Sequence, residues 1–358
     1  MSEEHERVGI ITLPGRFNYG NRLQNYAVTR IWEGLGYSPE SLILGNRPNT
    51  IRSIKKVGKR LLGRKENPSP ESMMSAERLA AFDCFNKSIP SREISGLNSI
   101  LADEYALFSV GSDQVWNPDY ITYNDDFYFL EFAHPEQRIA LAPSIGLDSL
   151  NFWQARRLAR GVMNFTHLSV RERRGAELIE ECSGRDAEVI CDPTLVLSVD
   201  EWREIADGHC TPNGAYVFTY LLGGVSDEVQ AVLTQVTDNG CIPVVTLSDR
   251  EKSEEPSAGP AEFVDLVSNA AHVVTDSFHA SVFSAIMETP LTIVRRGATG
   301  AGIFSRLECL AQTLGIEDKI YTTGRFDISR MADYEGVADR IMTERAKFTA
   351  YLESCLDR

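Results

Sequence analysis

Short apolar runs alternate with amphipathic segments along most of the chain. Runs of four to seven mainly apolar residues, typical of buried parallel strands, lie at residues 8–13, 106–110, 138–144, 166–170, 188–191, 216–222, 242–247, 272–275 and 291–294. Segments whose apolar residues follow helical spacing lie at 21–35, 76–87, 152–163, 173–182, 226–238, 261–269, 279–287, 303–314 and 335–356. This alternation with short links predicts an α/β protein whose parallel sheets are covered by helices.

The alternation is interrupted at Asp192-Pro193-Thr194, where Pro193 imposes extended backbone on the residue before it. We therefore place a domain boundary within residues 193–212. A chain of 358 residues is long enough for two domains, each with its own core. The predicted units are an N-terminal domain of residues 1–195, a C-terminal domain of residues 196–334, and a final helix in residues 335–358 that packs back on the N-terminal domain.

Acidic residues outnumber basic ones by 51 to 36, which gives a net charge of −15. Such a surface repels phosphates, so we predict no nucleic acid partner. Residues 52–65 are an exception, because they hold seven basic residues and no acidic one. Their apolar positions follow helical spacing. The segment is therefore either a solvated surface helix or a peripheral contact with an anionic membrane or a phosphate-bearing carrier.

Three further features bear on the cellular location. The sequence has no apolar run of about 18 residues, and its first residues lack the basic and apolar regions of a signal peptide. The seven cysteines are scattered, without a CxxC pair. We therefore predict a cytoplasmic protein with reduced thiols, which is membrane-associated if residues 52–65 bind a membrane.

Two loops after predicted strands of the N-terminal domain concentrate polar side chains. Ligands of parallel sheets bind at the carboxyl ends of the strands, so we expect a site at these loops. Amides suit hydrogen bonds to sugar hydroxyls, Asp113 can act as a base, and Trp116 can stack on a ring; helix capping and core packing are the alternatives. The residues are Asn18, Asn21, Gln24 and Asn25 in the first loop, and Asp113, Gln114 and Trp116 in the second.

Two other loops favour an anion. Arg171 ends a strand, and its planar guanidinium fits a carboxylate or a phosphate. His279 begins a helix directly after a strand, where free backbone N–H groups bind anions. Glu172 and Asp276, beside them, are candidate acid–base groups. The alternatives are a surface ion pair at Glu172 and a purely structural histidine.

The sequence resembles the polysaccharide pyruvyl transferase family in an ordered set of motifs within residues 8–315. The motifs are FNYGN at 17–21, LQNYA at 23–27, VGSDQVWNP at 110–118, SIG at 144–146, SVRE at 169–172, DPT at 192–194 and TDSFH at 275–279. The resemblance implies two Rossmann-like domains facing a cleft, a GT-B-like arrangement. It places the acceptor on the N-terminal side of that cleft and the donor on the C-terminal side.

The resemblance also implies a reaction: the pyruvyl group of phosphoenolpyruvate moves to a sugar of a polysaccharide or its precursor, usually as a ketal, and phosphate is released. The SVRE arginine and the histidine after DSF hold the donor, here Arg171 and His279. No cofactor or metal is expected, because phosphate leaves readily, and the partners are phosphoenolpyruvate and a glycan acceptor, which can be lipid-linked. The assigned residues are His279, Asp113, Asp276 and Glu172 for catalysis, Arg171, Ser277, Phe278 and His279 for the donor, and Asn18, Asn21, Gln24, Asn25, Gln114 and Trp116 for the acceptor.

Two other functions stay open at this point. One is a glycosyltransferase that uses a nucleotide sugar on the same fold, and the other is a non-catalytic carbohydrate-binding protein. Arg171 and His279 lie in opposite predicted domains, so we expect closure of the domains to assemble the donor site.

Overall fold

The computed structural model describes residues 5–45, 73–97, 102–121, 125–296, 301–323 and 327–357. Within them the strands are β1 (Arg7–Ile11), β2 (Ser38–Leu44), β3 (Ser91–Ile94), β4 (Leu107–Val110), β5 (Arg138–Ala140), β6 (Ser169–Val170), β7 (Glu188–Val189), β8 (Val217–Tyr220), β9 (Val244–Leu247), β10 (His272–Thr275) and β11 (Leu291–Ile293). The α-helices are α1 (Tyr19–Gly34), α2 (Ala76–Asn86), α3 (Asp125–Tyr128), α4 (Phe152–Val162), α5 (Arg173–Ser183), α6 (Val199–Ile205), α7 (Asp227–Val236), α8 (Pro260–Ser268), α9 (Phe278–Met287), α10 (Ala301–Leu314) and α11 (Val337–Leu356).

The N-terminal sheet is parallel, with strand order β3-β2-β1-β4-β5. Its two central strands, β1 and β4, are almost entirely buried, as their apolar composition requires. Strands β6 and β7 form a separate parallel pair beside it, tied to the β5 side by the Arg171 N–H, which donates to the Pro143 carbonyl at 3.1 Å. An order of 3-2-1-4-5 is that of a Rossmann-like domain.

The C-terminal sheet is also parallel, with strand order β11-β10-β8-β9. The direction of winding reverses between β8 and β10, as it does between β1 and β4 in the first sheet. The protein is therefore an α/β protein with two Rossmann-like domains, a GT-B-like architecture. Such reversal points are where parallel sheets bind ligands.

Apolar side chains pack the two domains against each other. The Tyr19 ring in α1 stacks on the Phe263 ring in α8 with centroids 5.1 Å apart, and the Tyr19 hydroxyl donates to the Ala258 carbonyl at 2.8 Å. One continuous apolar cluster runs from Val8 in β1 to Phe283 in α9. The two domains are therefore in direct contact along this junction.

The final helix, α11, returns to the N-terminal half of the chain. The Tyr351 hydroxyl donates to the Ala140 carbonyl at 2.7 Å, and the Arg345 Nε donates to the Leu195 carbonyl at 2.7 Å. Among the helices of the described ranges, none has the length and apolar composition needed to cross a membrane. The basic segment of residues 52–65 lies outside the described residues.

The apolar pattern misses two strands. β2 opens with Ser, Pro and Glu, and β3 is an edge strand of sequence SREI with three of its four residues at least partly exposed. Neither presents the apolar run by which a buried strand is found. The interval of residues 193–212, in which we place the domain boundary, contains helix α6, whose Trp202 is fully buried.

Candidate active site

The loops at the two reversal points face each other across the domain junction. The loops after β1 and β4 come from the N-terminal sheet, and the loops after β8 and β10 come from the C-terminal sheet. The first turns of α1 and α9 pack closely against each other. A Cβ atom on Gly20 would lie 2.1 Å from Nδ1 of His279, so only a glycine at this position lets the histidine ring approach α1 so closely.

Arg171 is buried directly after β6 and is held by a carboxylate and a hydroxyl. Its Nη1 donates to Asp192 Oδ2 at 2.5 Å and lies 3.5 Å from the Ser112 hydroxyl, which itself donates to Asp192 at 2.9 Å. Burial disfavours the charge on Arg171, but Asp192, Glu172 and Asp113 raise its pKa above the ordinary value. The guanidinium therefore stays charged inside the protein.

Asp192 fixes the position of that guanidinium. Its Oδ1 accepts the Thr194 N–H at 3.0 Å and the Thr194 hydroxyl at 2.6 Å, which leaves Oδ2 facing Arg171. Burial opposes ionisation, but the charges of Arg171 and His279 and the bonds from Thr194 hold the pKa of Asp192 below its usual range. The DPT motif, to which the sequence assigns no role in the site, supplies the partner of Arg171.

His279 and Phe278 bring the C-terminal domain onto this pair. His279 Nε2 lies 3.8 Å from Asp192 Oδ2, and Arg171 Cζ lies 4.4 Å from the centroid of the Phe278 ring. Burial lowers the pKa of His279, while Asp192 opposes that shift. The imidazole is therefore mainly neutral near pH 7. Ser277 is the N-cap of α9, since its hydroxyl accepts the Ala280 N–H at 3.5 Å.

Arg306 in α10 is a second buried arginine at the site, and no motif in the sequence points to it. With the Gln114 amide oxygen turned towards α10, that oxygen accepts from Nη1 and Nη2 of Arg306, each at 3.2 Å. This orientation follows because a guanidinium only donates. Burial, with the nearby charge of Arg171, lowers the pKa of Arg306 to about 10. Within the described ranges no carboxylate pairs with it.

Several buried polar atoms at this junction have no hydrogen-bond partner among the described residues. Around Arg171 they are Nε and Nη2 of Arg171, Nε of Arg306, Nε2 of His279 and Oε2 of Glu172. Nε of Arg78 and Nε of Arg296 also lack a hydrogen bond, but each has a carboxylate within 3.5 Å. Each such atom costs about 1–3 kcal/mol when it is buried without a partner. A cluster of unpartnered cationic donors is the arrangement expected of a site for an anion, whose oxygens would accept these N–H groups.

Two of the predicted acid–base carboxylates are engaged in local structure. Glu172 Oε1 accepts the Ser144 hydroxyl and the backbone N–H groups of Ile145 and Gly146, at 2.8 to 3.1 Å. Asp276 accepts two backbone N–H groups of the loop after β8, those of Leu222 and Gly223, at 2.8 and 2.7 Å, and lies 3.3 Å from Arg296 Nε. Both therefore fix loops that carry the site.

Asp113 is differently placed. It is half-buried in the loop after β4, and its Oδ2 accepts the Asn21 side-chain N–H at 3.2 Å. Arg22, also buried, donates to Asn21 Oδ1, and its pKa is lowered to about 10 by burial, which the charge of Asp113 partly offsets. Asp113 is thus the carboxylate of the predicted set that keeps partial exposure beside the junction.

The predicted acceptor residues fall into two groups. Asn21 contacts Asp113, Gln114 contacts Arg306, and Asn18 caps α1 by accepting the Asn21 N–H at 2.9 Å. Gln24 and Asn25 are fully buried: Gln24 bonds Thr12 and Ser112, and Asn25 accepts the Ser41 hydroxyl at 2.8 Å. The structure corrects the expectation that these two amides face an acceptor, because the core encloses them.

Trp116 is also not where the sequence suggests. Its indole is 1% exposed, stacks on Phe129 at 5.5 Å and donates from Nε1 to the Tyr128 carbonyl at 3.0 Å. Its faces are thus occupied by protein, and it cannot stack on a sugar without leaving the core. We correct its assignment to core packing.

The two Rossmann-like domains form a GT-B-like arrangement with a cationic site at their junction. The chain belongs to the polysaccharide pyruvyl transferase family, whose sequence profile matches residues 18–297. The chain is thus an enzyme of that transferase family. No curated protein sequence matches the chain.

Several solved structures are similar to the whole chain at low identity. A UDP-GlcNAc 2-epimerase from Neisseria meningitidis bound to UDP-GlcNAc is 9% identical over 98% of this chain and 100% of its own, with a TM-score of 0.46. The wall teichoic acid polymerase TagF, as the H444N variant, is 12% identical over 98% and 84%, with a TM-score of 0.45. The glycosyltransferase SnogD from Streptomyces nogalater is 11% identical over 99% and 98%, with a TM-score of 0.39.

Proposed function

We propose that this protein transfers the pyruvyl group of phosphoenolpyruvate to two hydroxyls of one sugar in a polysaccharide or its precursor, forming a ketal and releasing phosphate. The observation that carries the proposal is the cluster of buried Arg171, Arg306 and His279, whose unpartnered N–H and ring nitrogen atoms face one junction. Membership of the polysaccharide pyruvyl transferase family supports it.

The charges of this cluster suit phosphoenolpyruvate, which carries a carboxylate and a phosphate. Arg171 offers the guanidinium fork of Nε and Nη2, which can bind two oxygens of such a group, and Arg306 offers its Nε from the other domain. The first turn of α9 adds backbone N–H groups and the positive end of the helix dipole. His279 stands at that turn, so it is the proposed partner of the phosphate.

Asp192 and Gln114 are proposed as positioning residues. Asp192 holds Arg171 through Nη1 and leaves Nη2 and Nε for the donor. Gln114 holds both Nη atoms of Arg306 and leaves its Nε for the donor. Because each arginine already has its rotamer fixed, little side-chain entropy is lost when the donor binds.

Asp113 is the proposed general base. It keeps partial exposure on the acceptor side, whereas Glu172 and Asp276 already bind several backbone N–H groups. We therefore rank Asp113 above those two carboxylates as the base, although the sequence alone does not rank the three. Asn21 orients its Oδ2 from α1.

The proposed reaction balances without a cofactor. One sugar hydroxyl loses its proton to the base and its oxygen bonds to C2 of phosphoenolpyruvate. The methylene carbon of phosphoenolpyruvate gains a proton from water and becomes a methyl group, so the proton count is unchanged. The C2–O bond to phosphate then breaks, and the oxocarbenium ion is trapped by the second hydroxyl, whose proton leaves through the base or the phosphate. Arg171 and Arg306 stabilise the charge that develops on the leaving phosphate.

A direct test supplies phosphoenolpyruvate with a panel of glycan acceptors and measures released phosphate. We expect release that depends on the acceptor, and its loss in His279→Ala, with the exposed His209→Ala as the control for removing a histidine. Phosphoenolpyruvate at about 100 times its Kd should stabilise the wild type by about 2.7 kcal/mol. Stabilisation by nucleotide sugars instead would indicate a glycosyltransferase. Glycan binding without turnover, unaltered in His279→Ala, would indicate a non-catalytic carbohydrate-binding protein.

The acceptor is proposed to include lipid-linked precursors. The membrane contact of residues 52–65 rests on their sequence alone. Flotation with anionic phospholipid vesicles tests it, comparing the wild type with the double variant Lys55→Glu and Lys56→Glu. Equal flotation of the two proteins would remove this part of the proposal.

A further inference from the structure

Helix α4 begins with two large aromatic side chains that lie in solvent. Phe152 is 70% exposed and Trp153 is 68% exposed, and their rings contact each other edge to face with centroids 5.1 Å apart. Tyr120, in the loop after β4, is 57% exposed. Exposed aromatic rings forgo the free energy of burial, and a group of them marks a surface that binds something.

These rings lie at the same edge of the N-terminal sheet as the active site. Tyr120 follows the carboxyl end of β4, and α4 begins after the loop that follows β5. The Gln154 side chain donates to Asp119 Oδ1 at 3.4 Å, which joins the two loops. The aromatic surface is therefore formed by Tyr120, Phe152 and Trp153, on a pair of connected loops.

The same two loops reach the active site within a few residues. The amides of Asn117 and Gln114 lie 2.9 Å apart, and a Cβ on Gly146 would lie 2.3 Å from the side-chain amide of Gln114. Asp119 is five residues from Gln114, and Asn151 is five residues from Gly146. Five residues span at most about 18 Å, so the aromatic surface starts within the length of a short oligosaccharide from the site.

The chemistry around the rings fits a sugar chain. A pyranose has one face of C–H groups that can lie on an aromatic ring, and hydroxyls at its rim that hydrogen-bond to amides and carboxylates. Asn151 and Gln154 cap the start of α4 beside the rings, and Asp119 lies next to Tyr120. The rings are thus flanked by the planar polar groups that such hydroxyls need.

The charge of α4 speaks against an anionic membrane as the occupant. A membrane-surface helix needs free basic residues around its apolar side chains. Here Arg157 pairs with Asp125, and Arg160 lies 3.4 Å from Glu131. Two of the three arginines of the helix are thus neutralised by neighbouring carboxylates.

We propose that Tyr120, Phe152 and Trp153 form a distal subsite that stacks sugar units of the acceptor beyond the one that receives the pyruvyl group. The inference rests on the proposed function in that the acceptor is a glycan chain. It adds that the enzyme recognises a chain of several sugars rather than a single one.

Fluorescence tests the binding without any turnover. Trp32, Trp116 and Trp202 are at most 1% exposed, so Trp153 is the tryptophan that acrylamide can reach. An acceptor oligosaccharide should protect Trp153 from acrylamide, and the matching monosaccharide should not. Protection by phosphatidylglycerol vesicles but not by any oligosaccharide would overturn the proposal in favour of a membrane surface, and protection by neither would overturn it outright.

Kinetics test the same subsite in the reaction. Trp153→Ala should lower kcat/KM for an oligosaccharide acceptor about tenfold and leave it unchanged for a monosaccharide, as expected for loss of one stacked ring. Trp153→Phe should retain most of the activity, and Met163→Ala, which is 61% exposed at the other end of α4, should retain all of it. Equal effects of Trp153→Ala on both acceptors would contradict the subsite, whereas no phosphate release by the wild type would contradict the proposed function instead.

Discussion

Two clusters of buried arginine cross the same domain junction, and they differ in what surrounds them. Arg78 in α2 donates to the Ser248 and Pro256 carbonyls and to Glu255 Oε2, at 2.9 to 3.0 Å, and its Nε lies 3.5 Å from Glu251. At the active site, Arg171 has one carboxylate partner and Arg306 has an amide, and both retain buried N–H groups without a partner.

The difference separates a structural contact from a binding site. The charge of Arg78 is balanced by protein carboxylates, so this cluster joins the loop after β9 to α2. The charge of Arg171 and Arg306 is balanced only in part, and their desolvation is a cost that an anionic ligand can offset. Burial of an arginine is therefore not informative by itself, and neither is an Nε without a hydrogen bond, which Arg78 also has. The number of carboxylates around the guanidinium separates the two clusters, since Arg78 lies beside Glu251 and Glu255.

The largest expected effect is on the structural cluster. Arg78→Ala leaves Glu255 buried and unpaired, so it should lower the free energy of unfolding by about 3–5 kcal/mol. Chemical denaturation measures this. The exposed pair between Arg16 and Asp83, on the same face of the molecule as α2, is the control, and Arg16→Ala should cost at most about 1 kcal/mol. Equal losses in the two variants would erase the distinction.

Arg306→Met should show the opposite balance of effects. Loss of a charge-assisted bond to the donor should lower kcat/KM for phosphoenolpyruvate about 100-fold, the equivalent of about 2.7 kcal/mol. Stability should stay the same or rise, because a buried cation near Arg171 is removed. Steady-state kinetics and denaturation on one preparation give both values. A variant that unfolds as easily as Arg78→Ala would place Arg306 with the structural cluster.

Two histidines near the ends of β10, His272 and His279, extend the comparison between structural and ligand-binding groups. His272 lies in the core with its Nε2 2.8 Å from the Thr292 hydroxyl, and burial with the charge of Lys319 lowers its pKa to about 4. The unfolded chain then takes up a proton near pH 6.5 and the folded one does not, so stability should fall as the pH falls. Between pH 7.5 and 5 this one group should account for about 2 kcal/mol.

Denaturation curves across this pH range test the assignment. His272→Gln should flatten the profile by that amount because it removes the titrating group. His279→Gln should alter phosphoenolpyruvate binding far more than stability. A profile that is unchanged in His272→Gln would show that another group carries the acid sensitivity.

The smallest expected effect tests the contact between the two domains. Gly20→Ala places a methyl group against the His279 ring, so it should weaken phosphoenolpyruvate binding about tenfold, roughly 1.4 kcal/mol. Alanine favours a helix over glycine, so α1 itself should not suffer. Gly34→Ala, in the same helix but with open space around it, should leave binding unchanged. Titration calorimetry compares the three proteins, and similar affinities would mean that His279 does not depend on this approach.

Local patterns predicted much of the fold. Apolar runs located nine of the strands, most of which are buried, and they missed β2 and β3, where polar residues interrupt the run. Motifs at strand ends indicated Arg171 and His279 as site residues, because the carboxyl ends of parallel strands share one edge of a sheet. The contact between the residues of these two loops is in the structure, through Asp192.

The tryptophans show that the sequence does not predict which aromatic rings are exposed. Trp116 lies in a motif at a strand end and is enclosed by the core, while Trp153 lies in no motif and is exposed. Sequence patterns record spacing along the chain and not which neighbours cover a ring. They therefore do not distinguish a buried tryptophan from an exposed one.

The sequence by itself determined the α/β alternation, the two-domain plan, the family, and the strand-end loops that hold the site. Only the tertiary structure decided which polar groups in those loops are satisfied by the protein and which face a ligand. The partners that settle this are distant along the chain: Arg306 meets Gln114 across the junction, and Glu172 meets the backbone of residues 145 and 146. Hydrogen-bond satisfaction depends on such distant contacts, whereas periodicity depends only on near neighbours.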